Sequence, residues 1–131
     1  MSFLFTVLFI VSLLPMVLAV VGAYCRYRQF GYLDNHHPRL QQAQLTGLAA
    51  RALAAQKNAW EALALFTAMC VLAYASGLDF VEFKYAAGLF LLSRLMHPVF
   101  YLLDMSSYRS LVFAIGWFSS IHIGLTALRG F

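Results

Sequence analysis

In the stretch "RALAAQKNAWEALALF", Arg51 to Phe66, an apolar run opens with Arg51, Lys57, Asn58 and Glu61. The run that continues it, Ala62 to Leu78, carries no charge. Polar groups at the head of a membrane-length apolar segment are costly in lipid and mark function more often than chance. Working outward, Met1–Cys25 and Ser110–Leu128 are also free of charged residues, and Phe83–Leu103 is apolar apart from Lys84, Arg94 and His97. A helix needs about 20 apolar residues to cross the hydrocarbon core, so the chain holds four candidate spans. Its 131 residues are 63% hydrophobic and 11% charged, and a soluble domain of that size would expose too much apolar surface.

The expectation is an all-α integral membrane protein: one domain over 1–131, a four-helix bundle running up-down-up-down, with helices at about 3–27, 40–76, 81–103 and 107–128. The second helix is expected to begin ahead of the membrane, because "RLQQAQLTGLAARALAAQ" is rich in Ala, Leu and Gln. The first segment, "MSFLFTVLFI", lacks the basic head of a signal peptide and is read as a retained helix, kinked at Pro15. Cys25 and Cys70 are read as two buried free thiols. His36, His37, His97 and His122 have no spacing that resembles a metal site, so no metal is expected. The net charge of +4 matters through its location, and no nucleic-acid partner is expected.

Arg26, Arg28 and Arg39 lie in or beside the first connection, with Arg51 and Lys57 close behind, and Arg109 lies in the third. Basic residues select the cytoplasmic side. The first and third connections are therefore expected in the cytoplasm and both termini outside, in a bacterial inner membrane.

On a helix, Arg51, Asn58 and Glu61 fall within an arc of roughly 80°. Arg94, His97, Tyr101 and Asp104 share one arc of the third helix in the same way. Two polar stripes thus gather at the cytoplasmic end. Glu61 is expected to pair with Arg51 or Arg94, and Asp104 with Arg109. Arg26, Arg28, Arg51, Lys57, Arg94 and Arg109 still outnumber Glu61 and Asp104. Unpaired buried charge costs several kcal/mol, so the excess of guanidinium groups points to an anionic ligand, for which the planar Arg fork is suited.

At these residues the chain resembles the MAPEG family, the membrane-associated proteins of eicosanoid and glutathione metabolism, in its bacterial form. The pattern R-x-x-x-A-x-x-N-x-x-E appears as Arg51, Ala55, Asn58 and Glu61. The pattern R-x-x-[HY]-x-x-x-Y appears as Arg94, His97 and Tyr101. A following R-S appears as Arg109 and Ser110, and an Arg-x-Arg as Arg26 and Arg28. The resemblance implies a homotrimer with glutathione as co-substrate in clefts between subunits. It implies a cleft lined by Arg26, Asn58, Glu61, His97, Tyr101 and Arg109, with Arg28, Arg51, Lys57 and Arg94 as further ligands. It also implies that Arg109 or Ser110 activates the glutathione thiol against a hydrophobic substrate dissolved among the membrane lipids. The second Arg often found four residues before the Asn is Ala54 here.

The leading reading is a glutathione-dependent transferase or peroxidase working by thiolate attack. Two others stay open at the level of sequence: a non-catalytic membrane protein that binds a lipid headgroup or partner on the same scaffold, and a small proton-coupled exporter.

Overall fold

The computed structural model describes residues 2–131. Five α-helices account for most of them: α1 (Phe3–Phe30), α2 (Pro38–Ala43), α3 (Gly47–Ala75), α4 (Lys84–Leu102) and α5 (Ser106–Ala127). A 3-10 turn, Phe80–Phe83, leads into α4, and a second, Leu128–Gly130, follows α5.

Local chemistry places the ends of these helices. Ser2 caps α1, its hydroxyl accepting from the Phe5 N–H at 3.5 Å. Gly31 ends α1 in the left-handed region at φ 78, donating its N–H to the Tyr27 carbonyl at 2.7 Å. Pro15 is buried inside α1 without ending it.

The single helix expected from about residue 40 to 76 is in fact two. Pro38 starts the short α2, which stops at Ala43; the backbone then turns, and Gly47 takes φ +52 at the head of α3. The break is held from outside. The Gln29 side chain at the end of α1 donates to the Gln44 carbonyl at 3.2 Å and accepts from the Thr46 N–H at 3.2 Å. Ala, Leu and Gln favour helix locally, but a glycine open to positive φ and a glutamine supplying the missing partners override that preference. The α1 helix also runs three residues past the expected end at 27, as far as Phe30.

Consecutive long helices run in opposite directions. Cys25 of α1 packs with Ala49 and Ala52 of α3, while Leu18 packs with Ala55 and Ala59. Leu4, Val7 and Val11 share the largest apolar cluster with Phe66, Cys70 and Ala73. The small side chains of α3 recur every three or four residues and let α1 approach closely, as in membrane helix pairs. The helices α3 and α4 meet at Phe66 and Phe90, whose rings stack with centroids 3.9 Å apart. Between α4 and α5, a Cβ added to Gly116 would meet Ser93 and Arg94, so the absence of a side chain there sets the separation.

Three helices, Phe3–Phe30, Gly47–Ala75 and the segment Ser106–Gly130, are long and apolar enough to cross a membrane. The expected fourth span, α4, is not among them: Lys84, Arg94 and His97 interrupt its apolar sequence. Arg94 and His97 are only 3% and 4% exposed, so those polar groups are turned inward. Large apolar side chains stand out around the molecule instead, among them Val20, Val71, Leu92 and Phe118. A surface of that kind suits hydrocarbon, and helices satisfy every backbone group internally there.

Candidate functional site

One end of the molecule collects most of the basic groups, at the close of α1, the start of α3, the close of α4 and the start of α5; Lys84 and Arg129 lie at the other. Arg94 lies at the centre. Its guanidinium donates through Nη1 to Asn58 Oδ1 at 3.2 Å, through Nη2 to the Val112 carbonyl at 3.3 Å, and through Nε to Ser93 Oγ at 3.3 Å. It also lies over the Phe90 and Phe113 rings, at 5.7 and 5.9 Å. A buried guanidinium thus fixes α3, α4 and α5 against one another with no carboxylate among its hydrogen-bond partners.

Beside it Asn58 and Glu61 of the α3 stripe open onto a cleft between α3 and α5, to which α4 contributes Phe90 rather than its polar stripe. The cleft, of about 210 Å³, is lined by Asn58, Glu61, Phe90, Phe113, Trp117 and Ser120. The α4 stripe runs instead toward the start of α5. The His97 ring is 6.3 Å from Phe113 and 5.5 Å from Tyr101, and the Arg109 guanidinium lies 4.4 Å over the Tyr101 ring. Asn58 and Arg94 are therefore bonded directly, and His97, Tyr101 and Arg109 form a chain of contacts that reaches the cleft through Phe113, while only Asn58 and Glu61 line the cavity itself. Phe113 and Trp117 were not foreseen. Their spacing was legible, since both continue from Arg109 along one face of α5 at four-residue steps.

Two expected ion pairs are not formed. Asp104 pairs with Arg51 at 3.5 Å rather than with Arg109, whose guanidinium is on Tyr101. Asp104 sits at φ 60, and this turn carries its carboxylate back toward the start of α3. Glu61 pairs with neither Arg51 nor Arg94; it is exposed at the cleft and joins no ion pair among the described residues. Its expected partners are occupied, by Asp104 and by Asn58.

The remaining expected ligands lie elsewhere. Arg26 opens onto a second cavity of about 210 Å³, which it shares with Gln42, Leu53 and Gln56. Its Nε is buried without a hydrogen-bond partner, as is that of Arg51. Gln56 and Asn58 are two residues apart, about 200° around α3, so the Arg26 cavity and the Asn58 cleft occupy opposite faces of that helix. Arg28 is likewise about 200° from Arg26 around α1 and lines a third cavity, of about 530 Å³, with Tyr24, Gln29 and Thr46. Lys57 and Ser110 are exposed on the outer sides of α3 and α5.

An all-helical chain with three membrane-length helices, an apolar exterior and the Arg94 and His97 side chains turned inward is an integral membrane protein. The family model described as the MAPEG family matches residues 3–129, and the chain belongs to that family. No individual curated protein and no solved structure matches it.

Proposed function

We propose that the protein is a membrane-bound glutathione-dependent transferase or peroxidase acting on hydrophobic electrophiles, working as a homotrimer of four-helix subunits. The observation that carries the reading is a pair of guanidinium groups beside the Asn58 cleft that no acid neutralises. Arg94 bonds Asn58, Arg109 lies on the Tyr101 ring, and neither joins an ion pair among the described residues; Glu61 is the one charged side chain lining the cavity itself. Uncompensated guanidinium groups favour an anion, and glutathione is one.

The two half-sites on opposite faces of α3 support the trimer. A ring built from head-to-tail contacts brings one face of each subunit against the other face of its neighbour. In such a ring, Arg26 and Gln56 of one copy meet the Asn58 cleft of the next. The orphaned Arg26 Nε then has a ligand to bind.

In the chemistry we infer, Arg109 stabilises the thiolate of bound glutathione. A thiol is mostly protonated at neutral pH, and the thiolate is the nucleophile. Arg109 carries a permanent charge, and it stands in the first turn of α5, where unpaired amides and the helix dipole add positive potential. The thiolate attacks an electrophilic carbon, or the oxygen of a hydroperoxide, arriving from the bilayer. A new bond to sulfur forms, the leaving group takes the electron pair, and the thiol proton passes to water. Ser110, exposed on the outer side of α5, takes no part in this step within one subunit. We place the α3 start and the α4–α5 connection in the cytoplasm, where the basic residues cluster and glutathione is found.

The test is calorimetric titration of glutathione into the purified protein, with turnover of a chromogenic electrophile followed for wild type and Arg109→Leu. Saturable binding, with turnover lost in the variant, is the expected result. Binding without any turnover in wild type would refute the catalytic part of the proposal. No saturable binding refutes the glutathione reading whole and supports instead a non-catalytic protein that binds a lipid headgroup or partner on the same scaffold, a reading favoured by Ala54 standing where an Arg clamp is usual.

A further inference from the structure

Arg28 has no role in the Asn58 cleft or the Arg26 cavity. It stands in the last turn of α1, exposed, with Nη1 donating to the Tyr24 hydroxyl at 3.3 Å and its guanidinium 6.0 Å over the Tyr24 ring. Among the described residues it joins no ion pair: the three that form are His37–Asp34, Arg51–Asp104 and Arg129–Glu82. The cavity before it, of about 530 Å³, is polar on one side, at Arg28, Gln29 and Thr46, and apolar on the other, at Cys25, Leu48 and the Tyr24 ring. Both ends of the Gln29 amide are used to hold the α2–α3 turn, so the polar rim is rigid. The Thr46 side chain makes no capping bond.

The apolar side of this cavity continues down α1. Leu13, Val17, Val20 and Tyr24 are 48%, 56%, 72% and 60% exposed. Their spacing puts them within about 60° of one another on the helix, with Arg28 at the end of the same line. From Leu13 to Tyr24 the helix rises about 16 Å, which matches the hydrocarbon half-thickness of a bilayer, about 15 Å. A guanidinium without an acid, set at the top of an apolar track one leaflet long, has the chemistry of a phospholipid site: a fork for the phosphate and a wall for the acyl chain.

We propose that the α1–α3 cavity at Arg28 binds one anionic phospholipid per chain, its phosphate on Arg28 and one acyl chain along Leu13, Val17 and Val20. The lipid is held at the rim of the protein and stays separate from the proposed glutathione cleft, on another face of the helices. An anionic lipid is preferred over a zwitterionic one because no carboxylate near Arg28 receives a choline.

The experiment is native mass spectrometry of the full-length protein in mild detergent, with phosphatidylglycerol and phosphatidylcholine of identical chains supplied in equal amount. Wild type is expected to retain phosphatidylglycerol preferentially, one per chain. Arg28→Gln should lower that retention roughly fivefold, the effect of one basic group at an anionic surface. Arg28→Lys should keep part of it, since charge remains and the fork is lost. Val20→Asn should also weaken retention with Arg28 intact. Arg26→Gln, in a different cavity, should leave it unchanged. Both Arg28 and Val20 are exposed, so these variants fold, and wild type alone already tests the headgroup preference. Equal retention of the two lipids by wild type, or undiminished retention by Arg28→Gln, overturns the proposal. Displacement of the lipid by soluble glycerol phosphate at matching concentration overturns the lipid assignment as well, because the acyl track would then contribute nothing.

Discussion

Replacing Gly116 by alanine tests the central packing claim, that the Arg94 guanidinium is wedged between α4 and α5. A Cβ at Gly116 would overlap Ser93 Oγ, and it would lie 2.7 Å from Arg94 Nη2 and 3.0 Å from Cζ. Neither neighbour is free to leave. Ser93 Oγ donates to the Phe90 carbonyl at 2.7 Å, and Arg94 is tied to Asn58 and Val112. Two effects oppose each other. Alanine is the better helix former by about 1 kcal/mol, whereas forcing an extra carbon into a fixed contact costs about 1–3 kcal/mol.

Two other glycines separate these terms. At Gly22, nothing lies within 4 Å of an added Cβ, so Gly22→Ala should show the helical gain alone. At Gly124 the overlap is with Met69 Sδ, a flexible thioether that can swing aside, so Gly124→Ala should resemble Gly22→Ala. Gly116→Ala should therefore be less stable than Gly22→Ala by about 1–3 kcal/mol. For a chain of this length that is a gap of roughly 3–15 °C in Tm. Thermal unfolding of the three variants in one detergent, followed by tryptophan fluorescence, measures it. Displacing Arg94 also loosens Asn58, so Gly116→Ala should bind glutathione more weakly than Gly124→Ala does. If Gly116→Ala melts at or above Gly22→Ala, the guanidinium is not seated against α5 and the account of the packing beside the cleft is wrong.

Asp104 tests the turn between α4 and α5: Asp104→Gly relieves a left-handed residue at φ 60 while Asp104→Ala does not, and both lose the 3.5 Å contact with Arg51. The glycine variant should be more stable than the alanine variant by about 1 kcal/mol, in chemical denaturation, and equal stabilities would locate no strain at this residue. Glu61→Gln removes a carboxylate that joins no ion pair among the described residues, so its stability should change by less than about 1 kcal/mol; a loss of about 3–5 kcal/mol would reveal a buried charge partner supplied by another subunit.

The membrane class, the helical architecture and the family were legible in the residues themselves. Charge-free runs such as Ala62–Leu78 are long because hydrocarbon solvates no charge, and that constraint acts on the one-dimensional sequence directly. The stripes of α3 and α4 were legible for a related reason: a helix has a fixed angular period, so Arg51, Asn58 and Glu61 share a face wherever the helix is placed. The break at Gln44–Thr46 was less visible, because a side chain fifteen residues upstream supplies its hydrogen bonds.

Partner choice lay beyond the sequence altogether. Periodicity says which residues share a face but not which face of a neighbouring helix it meets. Helix packing and the turn at Asp104 decided that Arg51 takes Asp104, that Arg94 takes Asn58, and that Glu61 is left at the cleft edge. The same packing put Arg26 and Arg28, two residues apart, into separate cavities. Along one helix, spacing determines direction; between helices, only the three-dimensional arrangement brings charges within the few ångströms over which a hydrogen bond or an ion pair acts.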